Sequence, residues 1–262
     1  MLTPNSLKVN EKDFVLEVED LSVIRSGKLV ISDINFWLSK GEFVGIVGPN
    51  GSGKTTLLLS ILGILKENSG RVRIYGCEPM CNSNDGRISW VSQAASNLPN
   101  NLRITVRELV KLGTISSRNM FSFSSNSKNS AVDKAIEMVD LKNEENTDVG
   151  RLSGGQRQRA VIARALASQA DFIILDEPLV GIDREARNSL LKLLDDLCHD
   201  AGKTILMVSH DLAAIRQTAH RMIYLEETIK FDGETREFPD LTEIAELRGI
   251  NPVHDESSGH QH

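Results

Sequence analysis

Cysteine is scarce in this chain. Cys77, Cys81 and Cys198 are the only three among 262 residues, too few for a disulfide framework, which fits a reducing compartment such as the cytosol. Long apolar runs are also missing. The longest are short and interrupted by charge, so no segment is expected to span a bilayer, and Met1 to Asn10 lacks the apolar core of a signal peptide. Positive charge is not in excess either. Asp and Glu number 36 against 30 Lys and Arg, a net charge of −6, which argues against general binding to a phosphate backbone, so no nucleic-acid partner is expected. The sequence has no internal repeat. What it does have, 40% apolar and 25% charged residues, is ordinary for a globular chain that buries a sizeable core, and the length suits one large domain with inserted subdomains.

Four apolar runs share one design: Phe43 to Val47, Ile88 to Val91, Phe172 to Leu175 and Thr204 to Val208. Each is short, rich in large aliphatic or β-branched residues, and ends in polar residues or glycine. Such runs predict strands buried on both faces of a parallel sheet. Helical patterns between several of them predict an α/β core. Leu16 to Ile24, Ile34 to Leu38 and Arg71 to Tyr75 instead alternate polar and apolar residues, which predicts a smaller antiparallel sheet. Residues 94–150 contain no buried-strand pattern. Thr105 to Leu112 and Ala131 to Leu141 have amphipathic spacing, so this segment is expected to be an inserted helical subdomain. The Ser- and Asn-rich stretch Ser116 to Ser130 between them reads as a mobile loop, with Phe121 and Phe123 as an alternative docking point for a partner.

Gly48-Pro49-Asn50-Gly51-Ser52-Gly53-Lys54-Thr55 fits G-x-x-x-x-G-K-[ST]. It follows a buried-strand pattern and precedes the helical pattern Leu57 to Leu65, the context the motif requires. Glycines let the backbone curl so that successive N–H groups face phosphate oxygens. The helix that starts here directs the positive end of its dipole at the same anion. Lys54 is expected to reach the β- and γ-phosphates, and the Thr55 hydroxyl to ligate Mg²⁺.

Phe172 to Leu175 is followed by Asp176 and Glu177, two carboxylates at the C-terminal end of a buried strand. Ligands of open α/β sheets bind at that edge, so the pair is expected beside the phosphate cradle. Asp176 is suited to holding Mg²⁺. Glu177 is suited to polarising an attacking water as general base.

Leu152-Ser153-Gly154-Gly155-Gln156 opens a helical pattern from Arg157 to Ala167. Ser153 and Gln156 have capping-box spacing. Two glycines in a first turn are costly and suit close approach of an anion to bare N–H groups. At this point the chain resembles the ATP-binding subunits of ABC transporters. LSGGQ resembles their signature motif, Gly48 to Thr55 their Walker A, and Phe172 to Glu177 their Walker B. Gln93 looks like the Q-loop glutamine, Asp183 like the D-loop aspartate and His210 like the switch histidine. The resemblance runs from about Val15 to Gly233, with six motifs in the family's order. One position departs: Arg25 stands where the family often has an aromatic residue that stacks on adenine.

The resemblance implies a P-loop NTPase core with a mainly parallel sheet, a small antiparallel β subdomain and an inserted α-helical subdomain. It implies ATP as substrate with Mg²⁺, and a head-to-tail homodimer. In that dimer Ser153, Gly154, Gly155 and Gln156 of one copy, with Asp183, close over a nucleotide held by Gly48 to Thr56 of the other. Glu177 acts as base and His210 positions the γ-phosphate and water. Gln93 senses the γ-phosphate and Mg²⁺, which Thr55, Gln93 and Asp176 hold. The implied partners are separate integral membrane permease subunits and an extracytoplasmic solute-binding protein, with this chain peripheral on the cytoplasmic face of the inner membrane. The expected division is a tail over 1–14, the ATP-binding domain over 15–240 with its helical subdomain at 94–150, and a polar segment over 241–262. Asp176 to Asp183 resembles the DEP-F-x-G-[VI]-D pattern of the manganese, zinc and iron importer branch, with Leu179 in place of its Phe. His254, His260 and His262 give the tail metal-binding capacity or none, and Cys77 with Cys81 is a weak zinc pattern. Alternatives are an importer of siderophore, haem or cobalamin, and an ABC ATPase outside transport such as an iron–sulfur assembly scaffold.

Overall fold

The computed structural model describes residues 14–93, 103–115 and 125–239. The four apolar runs become β3 (Phe43–Val47), β5 (Ile88–Val91), β6 (Phe172–Asp176) and β7 (Thr204–Ser209). They lie in a six-stranded sheet of order β5-β6-β7-β3-β8-β9. All its pairings are parallel except the last, between β8 (Arg221–Glu226) and β9 (Thr228–Glu234). Those last two strands carry no expectation from the sequence. β8 has a buried run of four residues, and β9 alternates half-buried and exposed positions at an edge. β5 departs from its expected burial on both faces. It forms the opposite edge, and only Val91 is fully enclosed.

The predicted antiparallel sheet forms from β1 (Phe14–Arg25), β2 (Lys28–Ser39) and β4 (Ser69–Ile74), in the order β2-β1-β4. Pleat alternation divides the core into two layers. Val44, Ile46, Ile174, Leu206, Val208 and Ile223 pack toward this small sheet and α1 (Lys54–Ile61). Phe43, Val47, Ile173, Leu175, Ile205 and Met207 pack toward the remaining helices. Gly45 lies on the second face, where an added Cβ would fall 2.2 Å from Ile215 Cγ2. Its bare backbone is what lets α6 (Leu212–Thr218) lie close to β3.

The helical patterns become α2 (Val106–Leu112), α3 (Ser125–Met138), α4 (Gly154–Ala167) and α5 (Arg184–His199). Arg107 ties α2 to Asp133 on α3 and to Glu145, each at 2.6 Å. Three expectations need correction. α1 stops at Ile61 rather than continuing to Leu65, because Gly63 at φ 70° turns the chain away. α3 begins at Ser125, so the second part of the expected loop Ser116 to Ser130 is helical. Serine and asparagine are only modestly poor helix formers, and tertiary contacts override propensity. Finally, Cys77 and Cys81 form a disulfide with Cα atoms 6.5 Å apart. It closes a local loop, and Cys198 stays a buried thiol. Phe121, Phe123, His254, His260 and His262, with the tails 1–13 and 240–262, lie outside the described residues. Among those described, no helix is long and apolar enough to cross a membrane, and no group of three or more His, Cys, Asp or Glu could hold a metal ion.

Candidate nucleotide site

Parallel pairing brings the C-terminal ends of β3, β5, β6 and β7 to one edge of the sheet. The residues just beyond those ends are Gly48, Gln93, Glu177 and His210. The last three border a cleft of about 640 Å³, whose lining also includes Asn50, Gly51, Gly53, Lys54, Thr55 and Thr56. Four segments far apart in sequence therefore meet in one concavity.

Two positions of the loop between β3 and α1, Gly48 and Gly53, leave no room for a side chain. A Cβ on Gly48 would lie 2.1 Å from the Leu225 carbonyl oxygen, and one on Gly53, at φ 98°, 2.3 Å from Ile31 Cγ2. Gly53 caps α1 with no side chain, so the first N–H groups of that helix are left for an anion. Lys54 is buried, and its Nζ donates to the carbonyls of Gly48 at 2.8 Å and Pro49 at 2.9 Å. Burial holds its ammonium below the ordinary lysine range, and the charges of Glu177 and Asp176 pull the other way.

Asp176 ends β6 as a buried carboxylate whose Oδ1 has no hydrogen-bond partner. Burial, and then the charge of Glu177, push its carboxyl above the usual carboxylate range, while Lys54 opposes them. Next to it, Glu177 is held at φ 51°, a conformation costly for a residue with a side chain and characteristic of functional sites. Its N–H donates to the Val208 carbonyl at 2.9 Å, which fixes it against β7. Its Oε2 accepts from His210 Nδ1 at 2.8 Å and from the His210 N–H at 3.3 Å. A carboxylate can only accept, so the His210 proton sits on Nδ1.

The unpaired Asp176 charge has a measurable consequence. A carboxyl whose folded pKa is raised binds protons more tightly folded than unfolded. It therefore withdraws stability as pH rises through that interval. Asp176→Asn is expected to melt at a higher temperature than the parent at neutral pH. The gap should close on acidification, when the parent carboxyl becomes neutral. A variant that melts lower at neutral pH would contradict the assigned electrostatics.

The Ser153–Gln156 segment lies elsewhere. The expected capping box is present: Gln156 N–H donates to Ser153 Oγ at 3.2 Å, and Ser153 N–H donates to Gln156 Oε1 at 3.0 Å. Asp183 caps α5 by accepting from Ala186 N–H at 2.9 Å. Ser153, Gly155, Gln156 and Asp183 line a second cleft, shared with Glu185 and Ala186. The expectation that both glycines exist for anion approach needs amendment. A Cβ on Gly155 would sit 2.5 Å from Ala186 Cβ, so this glycine is already required for α4 to approach α5. Within one chain the structure thus brings together Lys54, Thr55, Thr56, Gln93, Glu177 and His210. It does not bring Ser153, Gly155, Gln156 or Asp183 to them.

The family model for the ABC transporter matches residues 31–180, more than half of the chain. The chain belongs to the ABC transporter family. The zinc uptake system ATP-binding protein ZurA of Listeria innocua is 36% identical over 89% of this chain and 91% of its own length. The manganese transport system ATP-binding protein MntA of Synechocystis is 34% identical over 85% of each chain. Among solved structures, the dimeric post-hydrolysis state of the ATP-binding cassette MJ0796, bound to ADP and phosphate, is 28% identical with a TM-score of 0.70. That match covers 85% of this chain and 100% of the other.

Membership makes this an ATPase whose hydrolysis is coupled to transport. Some of this site was not legible in the sequence. Arg187 of α5 forms an ion pair with Asp211, which caps α6 by accepting from Ala214 N–H at 3.0 Å. The pair braces the residue next to His210. No motif marks Arg187, since its partner lies 24 positions away, across a strand. Ser26, Val30 and Val180 also line the cleft without a signal that would have found them.

Proposed function

We propose that this chain is the ATP-hydrolysing subunit of a divalent-metal importer, for zinc or manganese. The observation that carries the reading is its 36% identity, over 89% of its length, to a zinc uptake ATP-binding protein, with a manganese counterpart close behind. The ATPase domain spans 15–240, with its helical subdomain at 94–150, and works as a homodimer bound to separate permease subunits. It sits at the cytoplasmic face of the inner membrane, and an extracytoplasmic solute-binding protein delivers the metal.

In this reading the loop N–H groups from Gly48 to Thr56 and the Lys54 ammonium bind the triphosphate. Residues suited to Mg²⁺ stand beside it. Asp176 offers a buried carboxylate oxygen that lacks a partner, Thr55 a hydroxyl at the start of α1, and Gln93 an amide oxygen across the cleft. A bound Mg²⁺ would neutralise charge on the phosphate oxygens. Glu177 orients and deprotonates the attacking water. His210 holds one oxygen of that carboxylate at 2.8 Å, which leaves the other for water. Ser153, Gly154, Gly155 and Gln156, with Asp183, serve the nucleotide of the second copy, because they line a separate cleft in their own chain. The work is positioning and charge compensation around a phosphoryl group.

Removing this subunit from its host and measuring uptake of radioactive zinc and manganese tests the reading. Uptake of one of them should fall and return with the parent chain but not with Lys54→Ala. Uptake of both metals at the parental level would reject metal import. Recovery of a soluble β-rich partner, instead of a multi-span membrane protein, from mild detergent would favour a scaffold role.

A further inference from the structure

Two of the three cysteines of this chain are joined to each other. Cys77 and Cys81 have Cα atoms 6.5 Å apart, and only Glu78, Pro79 and Met80 lie between them. A cross-link stabilises a fold mainly by restraining the unfolded chain, and it restrains least when the loop it closes is shortest. This bond therefore adds comparatively little stability. Both cysteines are half-buried, in the surface loop between β4 and β5. Cys81 lines a depression of about 290 Å³ with Pro79, Met80, Asn84 and Asp85, which gives a small sulfur reagent room to approach.

The loop does not depend on the S–S bond to keep the two sulfurs together. Ile74 N–H donates to the Cys77 carbonyl at 2.8 Å, and Cys77 N–H donates back to the Ile74 carbonyl at 3.2 Å. Cys81 N–H donates to the Glu78 carbonyl at 3.0 Å, and Asn84 N–H to the Cys81 carbonyl at 3.0 Å. The buried Asn84 side chain shares its Nδ2 protons among the carbonyls of Ile74 at 3.1 Å, Glu78 at 3.2 Å and Pro79 at 3.4 Å. A dithiol held on this frame has its second sulfur in place, so closing the ring is an intramolecular step. The Ser83 hydroxyl lies 3.0 Å from each sulfur. It can donate to whichever becomes a thiolate, the form that attacks. Cys198 offers none of this. It is enclosed, its Sγ donates to the Gly41 carbonyl at 3.1 Å, and burial pushes its thiol up to about 11.

We propose that Cys77 and Cys81 form a reversible dithiol–disulfide site, which exchanges with a low-molecular-weight thiol and its disulfide. In the oxidising direction one cysteine thiolate attacks a sulfur of the small disulfide, and one small thiolate leaves. The second cysteine thiolate then attacks the protein sulfur of that mixed disulfide and expels the other small thiolate. The two cysteines lose two electrons and the small disulfide gains them. The two cysteine protons go to the two thiolates released. Reduction runs the same steps backwards.

The test equilibrates the purified full chain with graded mixtures of glutathione and glutathione disulfide, traps free thiols with N-ethylmaleimide, and reads intact mass and labelled peptides. In glutathione alone Cys77 and Cys81 should each take one label; in excess glutathione disulfide neither should. The half-point should follow the square of the glutathione concentration divided by that of its disulfide, as closure of an internal bond requires. A bond that survives glutathione alone would be a structural cross-link and would overturn the proposal. So would a dithiol that persists in excess glutathione disulfide, a parent chain that keeps bound glutathione instead of closing the ring, or labelling of Cys198 in place of either cysteine. Cys77→Ser and Cys81→Ser cannot close the ring, and at least one of them should stop with a single glutathione attached. If neither does, the exchange step is wrong.

Discussion

Lys54→Ala is expected to abolish ATP binding, with affinity falling roughly 100-fold or more, as when one partner of a buried charge pair is truncated. The argument starts from where the ammonium sits. Its Nζ lies against two carbonyl oxygens of the loop, those of Gly48 and Pro49. Without the lysine, those oxygens and the nearby carboxylates of Asp176 and Glu177 face a triphosphate of the same sign. The backbone N–H groups alone would have to offset that repulsion. The fold should survive, because burial already disfavours the lysine's charge, so a thermal melt near that of the parent separates lost binding from unfolding. Titration calorimetry reads the result, and an unchanged dissociation constant would refute the cradle.

Glu177→Gln is expected to separate binding from hydrolysis. The amide keeps the size of the side chain, and its oxygen can still accept from His210 Nδ1, so the local geometry at φ 51° is retained. What it loses is the ability to take a proton from water. General-base catalysis contributes roughly 10²–10⁴-fold, so turnover should drop by that order. ATP affinity should stay near that of the parent. With hydrolysis blocked and Mg²⁺ present, the ATP-loaded form should accumulate and elute as a dimer from a sizing column. Turnover close to that of the parent would remove Glu177 as the base. A variant that holds ATP yet elutes only as a monomer would count against the paired arrangement of the two clefts.

The two variants probe one cleft, whose parts were not equally legible. The loop from Gly48 to Thr55 is contiguous, so its spacing alone states its chemistry. Asp176 and Glu177 are also contiguous, and a buried run ending in two carboxylates implies a functional sheet edge. Contiguity fails for what supports them. Neither the hydrogen bond from His210 to Glu177 nor the brace from Arg187 to Asp211 could be read from spacing, because each spans elements that meet only after the sheet has formed. The edge strands show the same limit. β8 and β9 carried no expectation, and their places follow from pairing, β8 with β3 and β9 with β8. Gly155 carries a different lesson. Its place in the motif suggested an anion, whereas its contact with Ala186 shows that helix packing alone already demands glycine there.

From its sequence, this chain determined its family, its two-sheet α/β plan and the identity of its phosphate loop, because each is written in local spacing or in the period of apolar residues. Tertiary structure decided which residues share a cleft. Parallel strands carried Gln93, Glu177 and His210 to Lys54, while the packing of α4 against α5 kept Ser153 and Asp183 on a separate face. A two-residue turn decided that Arg25 stands on the wall of that cleft. These outcomes depend on distances between elements remote in the chain, and those distances are set only when the sheet pairs and the core closes.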